Sequence, residues 1–347
     1  MTGSQSRMTG IDVSESEPSD RGDLIRAGGP QPAGMSQLKV NADNFPRAET
    51  HRMFADLQRN AGGVNRFAHN RKPASVDEQT VIRMNRDTLY SFAVVDVSAG
   101  ATLTVPDAGQ RYLSVMVVSE DHYINRVFHD PGSYDLAVEE LGSPYVVIAV
   151  RTLVDPRDPD DLEAVATVQD QLGIDAVAER PFRLPDYDTE SLDRTRSALL
   201  ALASDMTSFE RSFGRAEEVD PVHHLIGAAA GWGGLPDLEA TYVGVSPGVP
   251  VGDYELAIGD VPVDGFWSIS VYNADGFFEP NESGAYSVNN ITAAHNPDGT
   301  VTVRFGGDGN PKRNSLPITE GWNYLVRLYR PRSEILTGQW TFPSLDL

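Results

Sequence analysis

The 347-residue chain carries 50 acidic and 28 basic residues, a formal net charge of -22, and no cysteine. So strong a negative balance repels a phosphate backbone and argues against nucleic-acid binding. The missing cysteine excludes disulfides, thiolate metal sites, iron–sulfur clusters and cysteine nucleophiles. A mean hydropathy of -0.31, with no apolar run longer than a strand, argues against a membrane span.

The length suits two domains, and 40% apolar residues suffice for a sizeable core. Residues 1–35 are rich in Ser, Gly, Pro and Asp and read as a disordered lead. Met35 could serve as an alternative start to Met1. The opening residues show no charged-then-apolar signal pattern, so a cytoplasmic protein is expected.

In chain order, Asn44 to Gly62 reads as a helix with Met53, Phe54 and Leu57 on one face, ended by Gly62-Gly63. The segment from Ile82 to Val150 turns β-rich. Leu89 to Val97 alternates, Thr102 to Val105 follows, Arg111 to Val118 is a buried strand, and Tyr145 to Arg151 closes the set. Asp158, Asp160 and Asp161 suit the start of an amphipathic helix within 155–173. Residues 174–190 read as a Pro-broken linker. Ser191 to Phe213 is expected as one long helix, with Leu192, Leu199, Leu202, Met206, Phe209 and Phe213 on a stripe. Asp220 to Ala230 reads as a short capped helix, ended by Gly231-Trp232-Gly233-Gly234. From Thr241 the chain is β again. Tyr254 to Ile258, Phe266 to Tyr272, Val301 to Phe305 and Tyr324 to Tyr329 read as strands, and Asn296-Pro297-Asp298-Gly299 as a hairpin turn.

Two sets of motifs carry a resemblance. The first is Asn85-Arg86-Asp87-Thr88-Leu89-Tyr90-Ser91, with Val105-Pro106-Asp107 and Arg111-Tyr112. It resembles the bacterial domain of unknown function 1254. The second is Phe266-Trp267-Ser268, Tyr272-Asn273-Ala274-Asp275-Gly276 and Tyr286-Ser287, ending in Leu325-Val326-Arg327-Leu328-Tyr329-Arg330-Pro331 and Trp340. It resembles the domain of unknown function 1214, with which the first is paired. The resemblance implies a sandwich or jelly-roll C-terminal domain and a mixed N-terminal one. Some members are labelled carboxylesterases.

The residues themselves do not support a serine hydrolase. Gly244-Val245-Ser246-Pro247-Gly248 matches G-x-S-x-G, but that elbow needs a backbone N–H after the serine. Pro247 has none. Gly306-Gly307-Asp308-Gly309-Asn310-Pro311-Lys312 lacks the Walker spacing, and no nucleotide-binding motif is present. Glu120-Asp121-His122-Tyr123 follows a buried strand, and His129-Asp130 comes shortly after. A His beside a carboxylate can act as an acid/base pair. His122 and His129 are also candidate ligands for a divalent metal, although their spacing fits no established metal motif; surface-loop polar residues are the competing reading. His223-His224 cannot easily share one ion, because neighbours on a helix diverge. Arg86 could clamp an anionic group with Asp87 holding it, or the pair could form a structural turn. Trp267, Tyr272, Phe277 and Phe278 either floor a pocket or fill a core.

The resulting expectation is a mainly β (α+β) chain of two sandwich or jelly-roll-like domains bridged by helices. Its parts are the lead 1–35, an N-terminal domain 36–154, a helical connector 155–235 and a C-terminal domain 236–347. The leading function is a small-molecule enzyme of hydrolase or lyase type acting in the cleft between the domains. His122 would be the acid/base and Asp121 its orienting partner. Arg86, Asp87, Tyr90, Trp267, Tyr272 and Asn273 would bind substrate. The alternatives are a binding module for a sugar or lipid-like ligand and a structural or assembly protein. Homo-oligomerisation is left open.

Overall fold

The computed structural model describes residues 37–79, 82–206, 208–306 and 313–345. The lead expected over 1–35 and the greater part of the glycine-rich stretch, 307–312, lie outside the described residues.

Helix α1 (Phe45–Asn60) leads into strands β1 (Ala68–His69), β2 (Thr88–Asp96), β3 (Ala101–Val105), β4 (Leu113–Ser119), β5 (Ile124–Phe128) and β6 (Gly132–Leu136). Then come α2 (Val138–Leu141), β7 (Tyr145–Leu153), α3 (Pro159–Gln169), β8 (Gly173–Ala176), α4 (Thr189–Ala203) and α5 (Pro221–Ala230). The C-terminal part holds β9 (Ala240–Val245), β10 (Tyr254–Ile258), β11 (Trp267–Tyr272), β12 (Ser287–Asn289), β13 (Val301–Phe305), β14 (Ser315–Leu316), β15 (Asn323–Tyr329) and α6 (Ser333–Leu336).

The chain builds two β-sandwiches bridged by helices, as the sequence pattern implies. In the first, a five-stranded antiparallel sheet of order β1-β2-β7-β4-β5 faces a three-stranded sheet of order β6-β3-β8. Strand β7 reads Tyr-Val-Val-Ile-Ala-Val because both its faces are covered, which removes the alternation of a half-exposed strand. Val146, Ile148 and Val150 meet Leu103, Val105 and Leu136 on one side. Val147 and Ala149 pack on the other against Met53, Phe54 and Leu57 of α1. In the second sandwich, a four-stranded sheet of order β12-β11-β15-β9 faces a three-stranded sheet of order β10-β13-β14, in which β13 and β14 run parallel. Trp267, Ile269, Tyr324, Val326 and Leu328 meet Leu256, Ile258, Val303 and Phe305 in its core.

The helices between the sandwiches begin where short acidic side chains cap them. Asp158 accepts from the Asp160 N–H, Asp188 from Ser191, and Asp220 from both Val222 and His223. The long helix expected from Ser191 to Phe213 stops at Ala203. Its proposed stripe could not stay on one face: Phe209 joins the cluster of Phe45, Leu192, Leu199 and Ile226, whereas Phe213 enters the cluster under the five-stranded sheet. Irregular backbone between them lets both aromatics reach separate cores. The two sandwiches also share apolar packing, a point the sequence left open. Phe92 and Ala149 of the first, Phe213 and Trp232 of the helical part, and Phe266 and Tyr329 of the second belong to one buried cluster.

Candidate functional site

The face of each large sheet turned towards the other sandwich becomes polar at one end. On the first, β2, β7 and β4 place Tyr90, Arg151 and Ser114 in register across the sheet. On the second, β12, β11, β15 and β9 align Asn289, Ser268, Arg327 and Tyr242. Alternation along β15 sends Tyr324, Val326 and Leu328 into the dry core and Leu325, Arg327 and Tyr329 to the opposite face. Asn85 links the first row to β15: its amide donates to the hydroxyls of Tyr90 at 3.4 Å and Tyr329 at 3.0 Å.

Arg327 is fully buried and bonded through both terminal nitrogens, while its Nε has no partner among the described residues. Its Nη1 donates to Ser270 Oγ at 2.8 Å, and its Nη2 faces the carbonyls of Arg83 and Met84 at 2.9 and 3.1 Å and the Tyr272 hydroxyl at 2.7 Å. It fastens the segment before β2 to the second sandwich. Asp87, also fully buried, turns one carboxylate oxygen to Ser287 Oγ at 2.9 Å and Asn289 Nδ2 at 3.3 Å. Its other oxygen, Oδ2, has no hydrogen-bond partner.

Arg151 is less satisfied. Only 3% of it is exposed, its Nη2 donates to the Gly233 carbonyl at 2.7 Å, and its guanidinium lies 5.4 Å from the Tyr90 ring centre. Among the described residues its Nη1 has no partner, and the hydroxyls of Tyr112 and Ser114 find none beyond each other. Among the described residues no carboxylate pairs with Arg151. Burial raises the pKa of Tyr112, Tyr242 and Tyr329; the Ser114 hydroxyl and then the Arg151 charge pull Tyr112 back, the charges of Arg151 and Arg327 pull the other two back, and all three stay protonated at neutral pH. Tyr90, Tyr242 and Asn85 keep partial exposure, so the polar layer is not sealed from solvent.

Asp87, Tyr90 and Tyr272 therefore stand together in this layer, and Arg86 lies at its edge, stacked 5.3 Å from the Tyr286 ring centre and donating to the Ala74 carbonyl. Trp267 points the other way, into the core of the second sandwich. Asn273 closes its own turn, its Oδ1 accepting from the Asp275 and Phe277 N–H groups at 3.1 and 3.0 Å.

His122 and Asp121 lie outside the layer. They occupy the β4–β5 turn, where His122 adopts a left-handed φ of 65° in a position glycine usually takes. The Asp121 carboxylate grips Arg47 and not the His122 ring, with Oδ1 accepting from Arg47 Nε at 2.6 Å. The His122 ring is fully buried between Phe213, His224 and Trp232. Burial, and then the charge of His224, hold its pKa well below the usual 6.5. Its Nε2 accepts from the Gly233 N–H at 2.9 Å, so Gly233 touches His122 through its nitrogen and Arg151 through its carbonyl oxygen. The glycines beside it are required by packing: a Cβ on Gly234 would stand 2.4 Å from the Phe213 ring.

His129 is held at Nδ1 by the Leu113 carbonyl at 3.0 Å and at Nε2 by Glu239 at 2.7 Å. Among the described residues no group of three or more His, Asp or Glu side chains gathers as metal ligands. Ser246 lies in a strand–turn–strand connection between β9 and β10, without the helix a nucleophile elbow needs. Two surface grooves are present away from the layer. One of about 640 Å³ runs between Arg59, Arg66, Phe182 and Leu184. The other, of about 440 Å³, is bordered by Asp260, Asn290 and His295.

The two arginines were missed in the sequence. The available signal was an arginine set in a strand otherwise apolar on both faces, as in Val-Ile-Ala-Val-Arg and Leu-Val-Arg-Leu. Arginine is almost never fully buried without a partner.

Comparison with known proteins agrees with this architecture. The family model described as protein of unknown function DUF1254 matches residues 64–135, and that of DUF1214 matches residues 250–333, in the order implied by the motifs. No curated protein matches the chain. Among solved structures, the VPA0106 protein from Vibrio parahaemolyticus is similar at 18% identity and a TM-score of 0.65, covering 88% of this chain and 97% of its own. An uncharacterized protein from Burkholderia cenocepacia aligns at 16% identity and a TM-score of 0.48, over 88% of each chain. The first likeness shows a common fold. Among the described residues, no helix is long and apolar enough to cross a membrane.

Proposed function

We propose that the chain binds a small anionic molecule in the polar layer between its two sandwiches, with Arg151 as the principal anion contact. The observation that carries this reading is the open Nη1 of a buried arginine, whose strand neighbour is Ser114 and whose charge acts on Tyr112. An uncompensated buried cation is unfavourable, and an incoming carboxylate or phosphate would offset it through charge-assisted hydrogen bonds. The surrounding tyrosines supply further donors and an aromatic wall. These features favour an anion over a neutral sugar or lipid. A cytoplasmic setting, read from composition, belongs to the same proposal.

A second reading keeps the expected enzyme of hydrolase or lyase type. The free Oδ2 of Asp87, held in place through Oδ1, favours it, because a carboxylate fixed in this way can serve as a general base. In that case the acid/base role passes from His122 to Asp87, and His122 positions Arg151 through Gly233.

Calorimetric titration of the full chain with acetate, propionate, butyrate and inorganic phosphate tests the binding reading. Saturable one-to-one binding, lost in Arg151→Met, is expected. Binding that survives unchanged in Arg151→Met would sink it.

A further inference from the structure

Resting on the anion-binding reading, we infer that the preferred ligand is a hydroxylated monocarboxylate: its carboxylate meets Arg151 and its hydroxyl donates to Asp87 Oδ2. Two buried groups in the layer lack opposite things. Arg151 Nη1 lacks an acceptor, and Asp87 Oδ2 lacks a donor. The Asp87 side chain cannot swing to find one, because Ser287 and Asn289 grip its other oxygen and Asn85 Oδ1 accepts from its backbone N–H at 2.9 Å.

The two open positions face the same network. Asn85 contacts Asp87 on one side and the Tyr90 hydroxyl on the other, and Arg151 lies over the Tyr90 ring.

Charge narrows the class further. Arg151 and Arg327 are buried within this contact network, Arg86 lies at its edge, and Asp87 is the carboxylate bonded within it. A carboxylate is favourable at Arg151, whereas the second carboxylate of a diacid would stand next to Asp87. A neutral hydroxyl suits Asp87 Oδ2 because it donates without adding a charge.

The test is calorimetric titration of the full chain with glycolate, 3-hydroxypropionate and 4-hydroxybutyrate, each against the unsubstituted acid of equal length. One hydroxy acid is expected to bind at least about tenfold tighter than its parent, the discrimination typical when a buried acceptor needs its donor. Asp87→Asn, whose fold is checked by circular dichroism and its unfolding midpoint, is expected to narrow that ratio to about threefold or less. Equal affinities within every pair in the wild-type chain would overturn the hydroxyl assignment and leave the anion site standing. An undiminished ratio in Asp87→Asn would overturn it as well. No binding by any carboxylate would overturn the anion site and this inference together.

Discussion

The two faces of β15 differ in what they do. One face puts Tyr324, Val326 and Leu328 into an apolar core with Leu256, Ile258, Val303 and Phe305. The other puts Arg327 and Tyr329 into a layer of hydrogen bonds between the sandwiches. The first face stabilises the second sandwich by burial alone. The second joins the two sandwiches and leaves specific polar atoms open. The same strand therefore carries stability on one side and the candidate chemistry on the other, and substitutions can separate the two.

Phe305→Ala should have the largest effect on stability. Phe305 lies in the dry core against Trp322 and Tyr324, with ring centres 5.0 and 5.1 Å away. Its loss should lower stability by about 3–5 kcal/mol in chemical denaturation and leave anion affinity unchanged. Arg327→Met strips donors from two carbonyls and two hydroxyls on the polar face, and should destabilise by about 2–3 kcal/mol. Arg151→Met sharpens the contrast. Its single hydrogen bond to Gly233 is offset by removal of an uncompensated buried cation, so stability should stay within about 1 kcal/mol while anion binding disappears. A loss as large as that of Arg327→Met would mean that Arg151 serves the fold and not a ligand.

The smallest effect concerns pH. Because the folded chain holds His122 neutral while the unfolded chain protonates it below about 6.5, the unfolded state binds more protons in acid. The His122 contribution to stability is thus present at neutral pH and lost as pH falls through 6.5. His122→Gln keeps an acceptor for the Gly233 N–H. The stability difference between wild type and this variant should shrink from pH 7.5 to 5.5, measured by urea denaturation.

Much of the architecture could be read from periodicity. Strands β10 and β13 fall where their alternation and turn residues place them, and Asp158 and Asp220 mark helix starts by capping chemistry. The break after Ala203 was not visible, because apolar spacing cannot reveal that Phe209 and Phe213 belong to different clusters. The site was partly legible. Asp87, Tyr90 and Tyr272 stood out as polar or aromatic residues at strand ends. Arg151 and Arg327 did not, because their significance depends on which face of a doubly covered strand meets the other sandwich. That is a tertiary fact. The adjacent Asp121 and His122 suggested a catalytic pair, yet the backbone turn sends one side chain to Arg47 and the other under Trp232.

The most direct measurement is anomalous diffraction from crystals of the full chain soaked in 4-bromobutyrate. The account predicts a bromine peak in the layer between the sandwiches, with the carboxylate bonded to Arg151 Nη1 and the Tyr112 hydroxyl. Bromine found only beside exposed arginines such as Arg59 and Arg66, with the layer empty, would contradict it.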